Sequence, residues 1–185
     1  MTSAPPPTIL LLGPRAAGKT SVGRALAARL GRPFIDLDDR VRDRFDGRTV
    51  SEIWKAHGES AWRLAEGAAL DELLSRDRGL EPAVIALGGG APTVAAVREA
   101  IAQARAAGRV VTLLLLPSID VLTKRLARQP GDRPSLTGGG VADEASTLLA
   151  ARLPVYRSLA DLELATDDPR VERNAERAAA LLASS

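Results

Sequence analysis

The segment Gly13-Pro14-Arg15-Ala16-Ala17-Gly18-Lys19-Thr20, set directly behind the apolar run Ile9-Leu10-Leu11-Leu12, constrains this chain more than any other. It matches the pattern G-x-x-x-x-G-K-[ST] in the context that pattern requires, a buried strand before it and a helix after it. Val22, Leu26 and Leu30 recur at helical spacing from Thr20 onward, and Gly31 supplies a stop signal. Successive backbone N–H groups at such a helix N-terminus form a concave anion site, and glycine lets the backbone come close to phosphates. Lys19 adds a mobile positive charge, and the Thr20 hydroxyl can ligate Mg²⁺. The alternative is a glycine-rich turn that resembles the motif by accident. With strand, loop and helix all in place, the sequence predicts a nucleoside triphosphate site.

The remaining sequence narrows what surrounds that site. At 185 residues and 45% hydrophobic content, the chain fits one domain with a real core. The net charge is only +2, and Lys19, Lys55 and Lys124 are the only lysines. Near neutrality, together with 3% aromatic residues, argues against a nucleic-acid partner. The absence of cysteine excludes disulfides, thiolate metal sites and a cysteine nucleophile, and fits the cytoplasm. Residues 1–7 lack the basic start and apolar region of a signal peptide and read as a disordered or extended tail. No apolar run approaches the ~20 residues a membrane helix needs, so no membrane partner is expected.

Apolar runs alternate with helical patterns, which predicts an α/β domain with a parallel sheet of about five strands. The expected strands are 8–12, 33–37, 83–87, 109–116 and 162–165. The run Val110-Val111-Thr112-Leu113-Leu114-Leu115-Leu116 does not alternate, as suits a strand covered on both faces. Helices are expected at 20–30, 38–45, 51–57, 59–76, 93–107, 119–128, 142–159 and 171–182. There is no internal repeat and no linker long enough to separate two domains, so a single domain should span residues 8–183. Residues 128–141 break the rhythm, with Pro and Gly at both ends and Arg133 in the middle. They read either as a surface connection or as a mobile lid. The lid is favoured, because phosphoryl transfer needs water excluded and an arginine near the transferred charge.

A phosphate loop specifies a nucleotide and leaves the reaction open. Parallel strands present ligands at their carboxyl ends, so Asp36 and Asp38 of Phe34-Ile35-Asp36-Leu37-Asp38-Asp39 should face the γ-phosphate. One carboxylate would hold the Mg²⁺ hydration shell while the other takes a proton from an attacking hydroxyl. The competing reading is helix capping, which also favours Asp at these positions and suffices for Asp39. Gly88-Gly89-Gly90 follows the expected strand at 83–87 and puts bare backbone at the same sheet edge. Trp62-Arg63 sits near the start of a long helix opened by Gly58-Glu59.

At this point the chain resembles the shikimate kinase family. The resemblance runs through the phosphate loop, Phe34-Ile35-Asp36-Leu37-Asp38, Ser51-Glu52-Ile53-Trp54, Gly58-Glu59 with Trp62-Arg63 and Glu66, and Gly88-Gly89-Gly90. It continues through Arg133-Pro134 with Leu136 to Arg152-Leu153-Pro154-Val155-Tyr156-Arg157. It implies a three-layer α/β/α fold like the P-loop nucleoside kinases, and transfer of the ATP γ-phosphoryl group to the 3-hydroxyl of shikimate by a monomer. In that pattern Ala16, Ala17, Gly18, Lys19, Thr20 and Ser21 wrap the ATP phosphates, and Lys19 stabilises the transferring group. Thr20 ligates Mg²⁺, with Asp36 reached through water. Asp38 binds the shikimate hydroxyls and is the candidate base. Arg63 and Arg152 take the shikimate carboxylate, while Gly88, Gly89 and Gly90 line the ring hydroxyls. Arg133 reaches the phosphates from the lid, and Arg125 and Pro169 flank the adenine.

Arginine's planar fork matches a carboxylate bidentately, so two arginines around one small acid agree with this pattern. Each also has a plain structural reading: Arg152 as a surface residue on a late helix, Arg63 as an ion-pair partner of Glu59 or Glu66. Trp62 reads equally as a wall for the substrate ring or as a core residue, and His57 as a helix end. Arg40, Arg42, Asp43 and Arg44 read as a solvated helix face. Three positions depart from the family pattern. Ala16 stands at a usual glycine, Leu87 at a usual threonine, and Ala165 where an aspartate commonly ends the last strand. The rival expectations are a kinase for another small acid such as gluconate, and a catalytically idle sensor of nucleotide or metabolite.

Overall fold

Strand β1 (Thr8–Leu12) is wholly apolar after its first residue and lies at the centre of a five-stranded parallel sheet. The computed structural model describes residues 6–75, 81–128 and 141–184, with the side chains of 141–144 excepted. The other strands are β2 (Phe34–Asp36), β3 (Val84–Ala86), β4 (Val110–Leu115) and β5 (Leu162–Leu164), in the order β2-β3-β1-β4-β5. Leu10 of β1 is in register with Ile85 of β3 and Thr112 of β4. The helices are α1 (Lys19–Leu30), α2 (Leu37–Asp43), α3 (Val50–Leu74), α4 (Ala95–Ala106), α5 (Ile119–Arg128), α6 (Val141–Leu159) and α7 (Val171–Ala183). The expected lid and Arg133 lie outside the described residues, as does most of the expected tail.

Strand periodicity divides the core in two. Ile9 and Leu11 face Val22 and Leu26 of α1 and Ala175 and Ala178 of α7. Leu10 and Leu12 face the opposite layer, with Ile53 and Leu70 of α3, Ile101 of α4 and Tyr156 of α6. The parallel sheet predicted from alternating apolar runs and helical patterns is therefore present, buried on both sides, in the three layers that the resemblance implies. Since every pairing is parallel, the carboxyl ends of all five strands share one edge.

Two elements differ from the sequence expectation in an instructive way. Helices expected at 51–57 and 59–76 run together as α3, but Gly58 at their junction has φ 79 and ψ 163, which is not helical. Two helices therefore meet at a kink, and the first begins with a capping box in which Thr49 and Glu52 satisfy each other's backbone N–H groups. The helix expected from residue 93 begins instead as a 3-10 turn, Ala91–Thr93, broken by extended Val94 before α4. Side chains hold that break. The Thr93 hydroxyl donates to Gly90 O at 2.7 Å, and Arg98 donates to Pro92 O and Thr93 O.

Candidate active site

The phosphate-loop residues occupy the turn from β1 into α1. Gly18 is the N-cap of α1, in a left-handed conformation with φ 96, and its side-chain-free backbone leaves the helix start without a side-chain cap among the described residues. The first-turn N–H groups and the helix dipole thus face the sheet edge. Lys19 is nearly buried; its ammonium donates to Gly13 O at 2.8 Å and Pro14 O at 2.7 Å, bracing the loop. Ala16, at the position where the family pattern has glycine, adopts φ 60. A Cβ in that region costs about 1–2 kcal/mol, so the loop carries strain that glycine would not.

That strained loop is held from the far side of the sheet edge. Thr166, buried just beyond β5, donates its hydroxyl to Ala17 O at 3.0 Å. Arg125 of α5 donates to Thr166 O at 2.7 Å and more weakly to Ala16 O and Ala17 O, both at 3.4 Å. Sequence reasoning placed Arg125 beside a nucleotide base but missed Thr166. Its only signal was its place one residue after the last strand's expected end.

Asp36 ends β2 and caps α2, accepting from Asp38 N at 3.1 Å on one oxygen. Its other oxygen accepts from the Thr20 hydroxyl at 2.8 Å. The capping reading is realised, and the same carboxylate also ties β2 to the start of α1. Burial pushes the Asp36 carboxyl above its ordinary pKa, and Asp38 nearby adds to this, against the opposing Thr20 bond. Asp39 instead forms an ion pair with Arg42, on the solvated face the sequence predicted.

A side chain anywhere on the triple glycine would force its neighbours to move. A Cβ on Gly88 would stand 2.6 Å from Asp38 Oδ1 and 2.5 Å from Glu66 Oε1; one on Gly90 would stand 2.4 Å from Arg63 Nη2. Asp38 and Arg63 thereby approach the same short segment from α2 and α3. The Arg63 guanidinium donates to Glu66 at 2.6 Å and to Glu59 at 2.7 and 3.0 Å, and lies 5.9 Å from the Trp54 ring centre. Burial opposes its charge, but Glu66 and Glu59 outweigh that and hold its pKa above the ordinary value. The ion-pair reading of Arg63 is therefore realised, and it aims the fork at Gly90. On α6, Arg152 donates to Gly89 O at 3.4 Å, and one turn later the buried Tyr156 hydroxyl donates to the same oxygen at 2.5 Å. Burial pushes the Tyr156 phenol above its ordinary pKa, against the nearby arginines. Trp62 is a core residue with no exposure, and His57 packs its ring against Phe45.

A cleft of about 800 Å³ opens along the sheet edge. Ala16, Ala17, Gly18, Lys19, Thr20 and Ser21 line it with Asp36, Asp38, Gly88, Gly89, Arg125 and Pro169. Gly90, Arg63 and Arg152 are not among its walls; Arg63 packs against Gly90 and Arg152 against Gly89. Asn174 also lines the cleft, a residue that the helical pattern of α7 hid. None of the described helices is long and apolar enough to cross a membrane.

The chain is similar to known proteins over most of its length. The family model for shikimate kinase matches residues 15–183. The shikimate kinase of Nitratidesulfovibrio vulgaris is 41% identical over 163 residues, covering 87% of each chain. A solved shikimate kinase from Acinetobacter baumannii, in complex with shikimate, superposes with a TM-score of 0.84 at 35% identity, covering 97% of this chain and 94% of that one. One from Bacteroides thetaiotaomicron follows at 0.80 and 32%, covering 96% and 98%. With the phosphate loop, the carboxylates after β2 and the triple glycine all at one parallel-sheet edge, the chain belongs to the shikimate kinase family.

Proposed function

We propose that this protein transfers the γ-phosphoryl group of ATP to the 3-hydroxyl of shikimate, giving 3-phosphoshikimate and ADP. The observation that carries the reading is the meeting of Asp38 and Arg63 on the two ends of Gly88-Gly89-Gly90, beside a phosphate loop. The α1 N-terminus and residues 16–21 bind the phosphates, and Lys19 exchanges its carbonyl partners for the γ-phosphoryl oxygens. Asp38 receives the hydroxyl proton. Arg63, oriented by Glu59 and Glu66, and Arg152 hold the substrate carboxylate, while the backbone of Gly88 to Gly90 meets the ring hydroxyls. Arg125 and Pro169 flank the adenine, and Arg133 approaches the phosphates from a lid over residues 128–141. Positioning and charge stabilisation carry most of the barrier reduction in such a transfer.

A magnesium ion fits the residues present. A hydroxyl and a half-buried carboxylate, Thr20 and Asp36, stand side by side next to the loop, an oxygen set suited to a hard cation that keeps several waters. Bound there, Mg²⁺ would neutralise charge developing between the β- and γ-phosphates. The reading places the enzyme in the cytoplasm as a monomer, one domain over residues 8–183.

The test is ADP release from ATP and Mg²⁺ by the purified chain, with shikimate, quinate, gluconate or no acid. Strong stimulation by shikimate alone is expected. Binding of ATP with no stimulation by any acid would overturn the assignment and favour a sensor.

A further inference from the structure

Asn174 is the fourth residue of α7, in a helix whose neighbouring positions Glu172, Arg173, Glu176 and Arg177 are exposed. Asn174 itself is 2% exposed and lines the cleft beside Asp168 and Pro169. The next residues inward on this helix, Ala175 and Ala178, are small and apolar, so an asparagine here needs a reason. Half of its carboxamide has one. Nδ2 donates to Asp168 O at 2.8 Å, and this bond fixes the orientation of the amide, since the reverse would set two oxygens against each other. The other half does not: Oδ1 is buried with no hydrogen-bond partner. A buried acceptor left unmet is unfavourable where an apolar residue would cost nothing, and native structures keep few of them.

The chemistry of the cleft suggests what meets it. Pro169 and Arg125 line the same cleft. Adenine carries an exocyclic amine, a donor with two N–H groups, on its six-membered ring. Guanine and hypoxanthine carry a carbonyl oxygen at that position, which would face Oδ1 acceptor to acceptor. We propose that Asn174 is the specificity-determining residue for the base, its Oδ1 accepting a hydrogen bond from the exocyclic amine of adenine. The inference rests on the ATP reading above and names the residue that makes the site an adenine site. A pocket built to complete a hydrogen bond rejects analogues that lack it far better than an apolar pocket rejects a change of shape.

The experiment compares kcat/KM, in the presence of shikimate, for three triphosphates. These are ATP, purine riboside triphosphate (hydrogen in place of the amine) and inosine triphosphate (oxygen in its place). The wild-type chain should favour ATP by about 10-fold over the purine analogue and by about 100-fold over the inosine one. Asn174→Ala should bring both ratios to within about 3-fold of unity while leaving the KM for shikimate unchanged. A purely structural role, acting through Nδ2 and Asp168, predicts a different result: all three triphosphates fall together with their ratios intact, and that overturns the proposal. So does a wild-type chain that uses the three equally, a comparison that needs no variant to fold. Shikimate-dependent turnover with flat ratios removes only this inference, whereas no turnover with any triphosphate removes the parent reading and this one with it.

Discussion

Replacing Arg63 by alanine separates two roles that the side chain fills together. The first is structural. Arg63 is 15% exposed and pairs at 2.6 Å with Glu66, which is fully buried. Removing one partner of a buried ion pair costs about 3–5 kcal/mol, because the remaining charge stays desolvated. In a chain of this size each kcal/mol moves the melting temperature by about 2–4 °C, so a fall of roughly 6–20 °C is expected. The second role is substrate binding. Charge-assisted hydrogen bonds contribute about 1.5–3 kcal/mol, so the KM for shikimate should rise roughly 10- to 100-fold. The KM for ATP should stay within about 2-fold, since Arg63 is not a wall of the nucleotide cleft. Calorimetry reads the first effect, and coupled ADP release well below the transition reads the second. The double variant Arg63→Ala with Glu66→Gln distinguishes them: it removes the stranded charge and should recover about half of the lost stability, but none of the shikimate affinity. An Arg63→Ala chain that melts within ~2 °C of wild type, or binds shikimate normally, would refute the reasoning.

Asp38→Asn keeps the shape of the side chain but cannot take a proton, so kcat should fall by about 10²- to 10⁴-fold with ATP affinity nearly unchanged by titration calorimetry. Gly90→Ala puts a methyl 2.4 Å from the Arg63 guanidinium. The arginine tip can swing aside, so the KM for shikimate should rise about 10-fold while melting shifts by only a few degrees. Asp161 accepts from Thr112 N at 2.8 Å and Thr112 Oγ1 at 2.7 Å and pairs with Arg105. Burial raises its carboxyl pKa, but the Thr112 bonds and Arg105 prevail and hold it below 3.8. Its stabilising contribution is thus present above that pH and is lost as pH falls through the depressed value. Asp161→Asn should cost about 1 kcal/mol at neutral pH, discounted for its partial exposure, and the gap to wild type in urea melts should narrow as pH falls from 3.8 through the depressed value.

Much of this architecture was legible because its signals are local. The uninterrupted apolar run before Gly13 marked β1, and the glycine-lysine-threonine string marked the turn and the start of α1. Gly58 marked a real break in α3, although the two pieces join end to end. What stayed hidden depended on partners distant in sequence. The late start of α4 follows from Thr93 and Arg98 binding carbonyls of residues 90, 92 and 93, which leaves no periodic trace. Thr166, Tyr156 and Asn174 are polar residues whose importance lies in being buried, and burial on a helix or behind a strand is set by what packs across from it. Trp62 illustrates the converse. Its neighbour Arg63 drew it toward a substrate role, but the kink at Gly58 turns it wholly into the core between α3 and the sheet.

The triple glycine explains how elements so far apart in the chain can act as one site. Gly88 is packed against Asp38 and Glu66, Gly89 lies within 3.0 Å of Arg15 N for any added Cβ, and Gly90 is packed against Arg63. Gly89 O meanwhile receives both Arg152 and Tyr156. One short turn after the end of β3 therefore joins the phosphate loop, α2, α3 and α6. Because the glycines carry no side chains, the neighbouring groups approach their backbone directly, and dense packing holds those separations. Catalysis by positioning demands such fixed distances, since misplacement by about 1 Å can lower a rate 10²-fold. The same geometry accounts for Asp36, whose cap bond to α2 and bond to Thr20 lock β2 to the phosphate loop. The phosphate loop is thus tied to β2 and α2 through Asp36, and to α3 and α6 through the triple glycine.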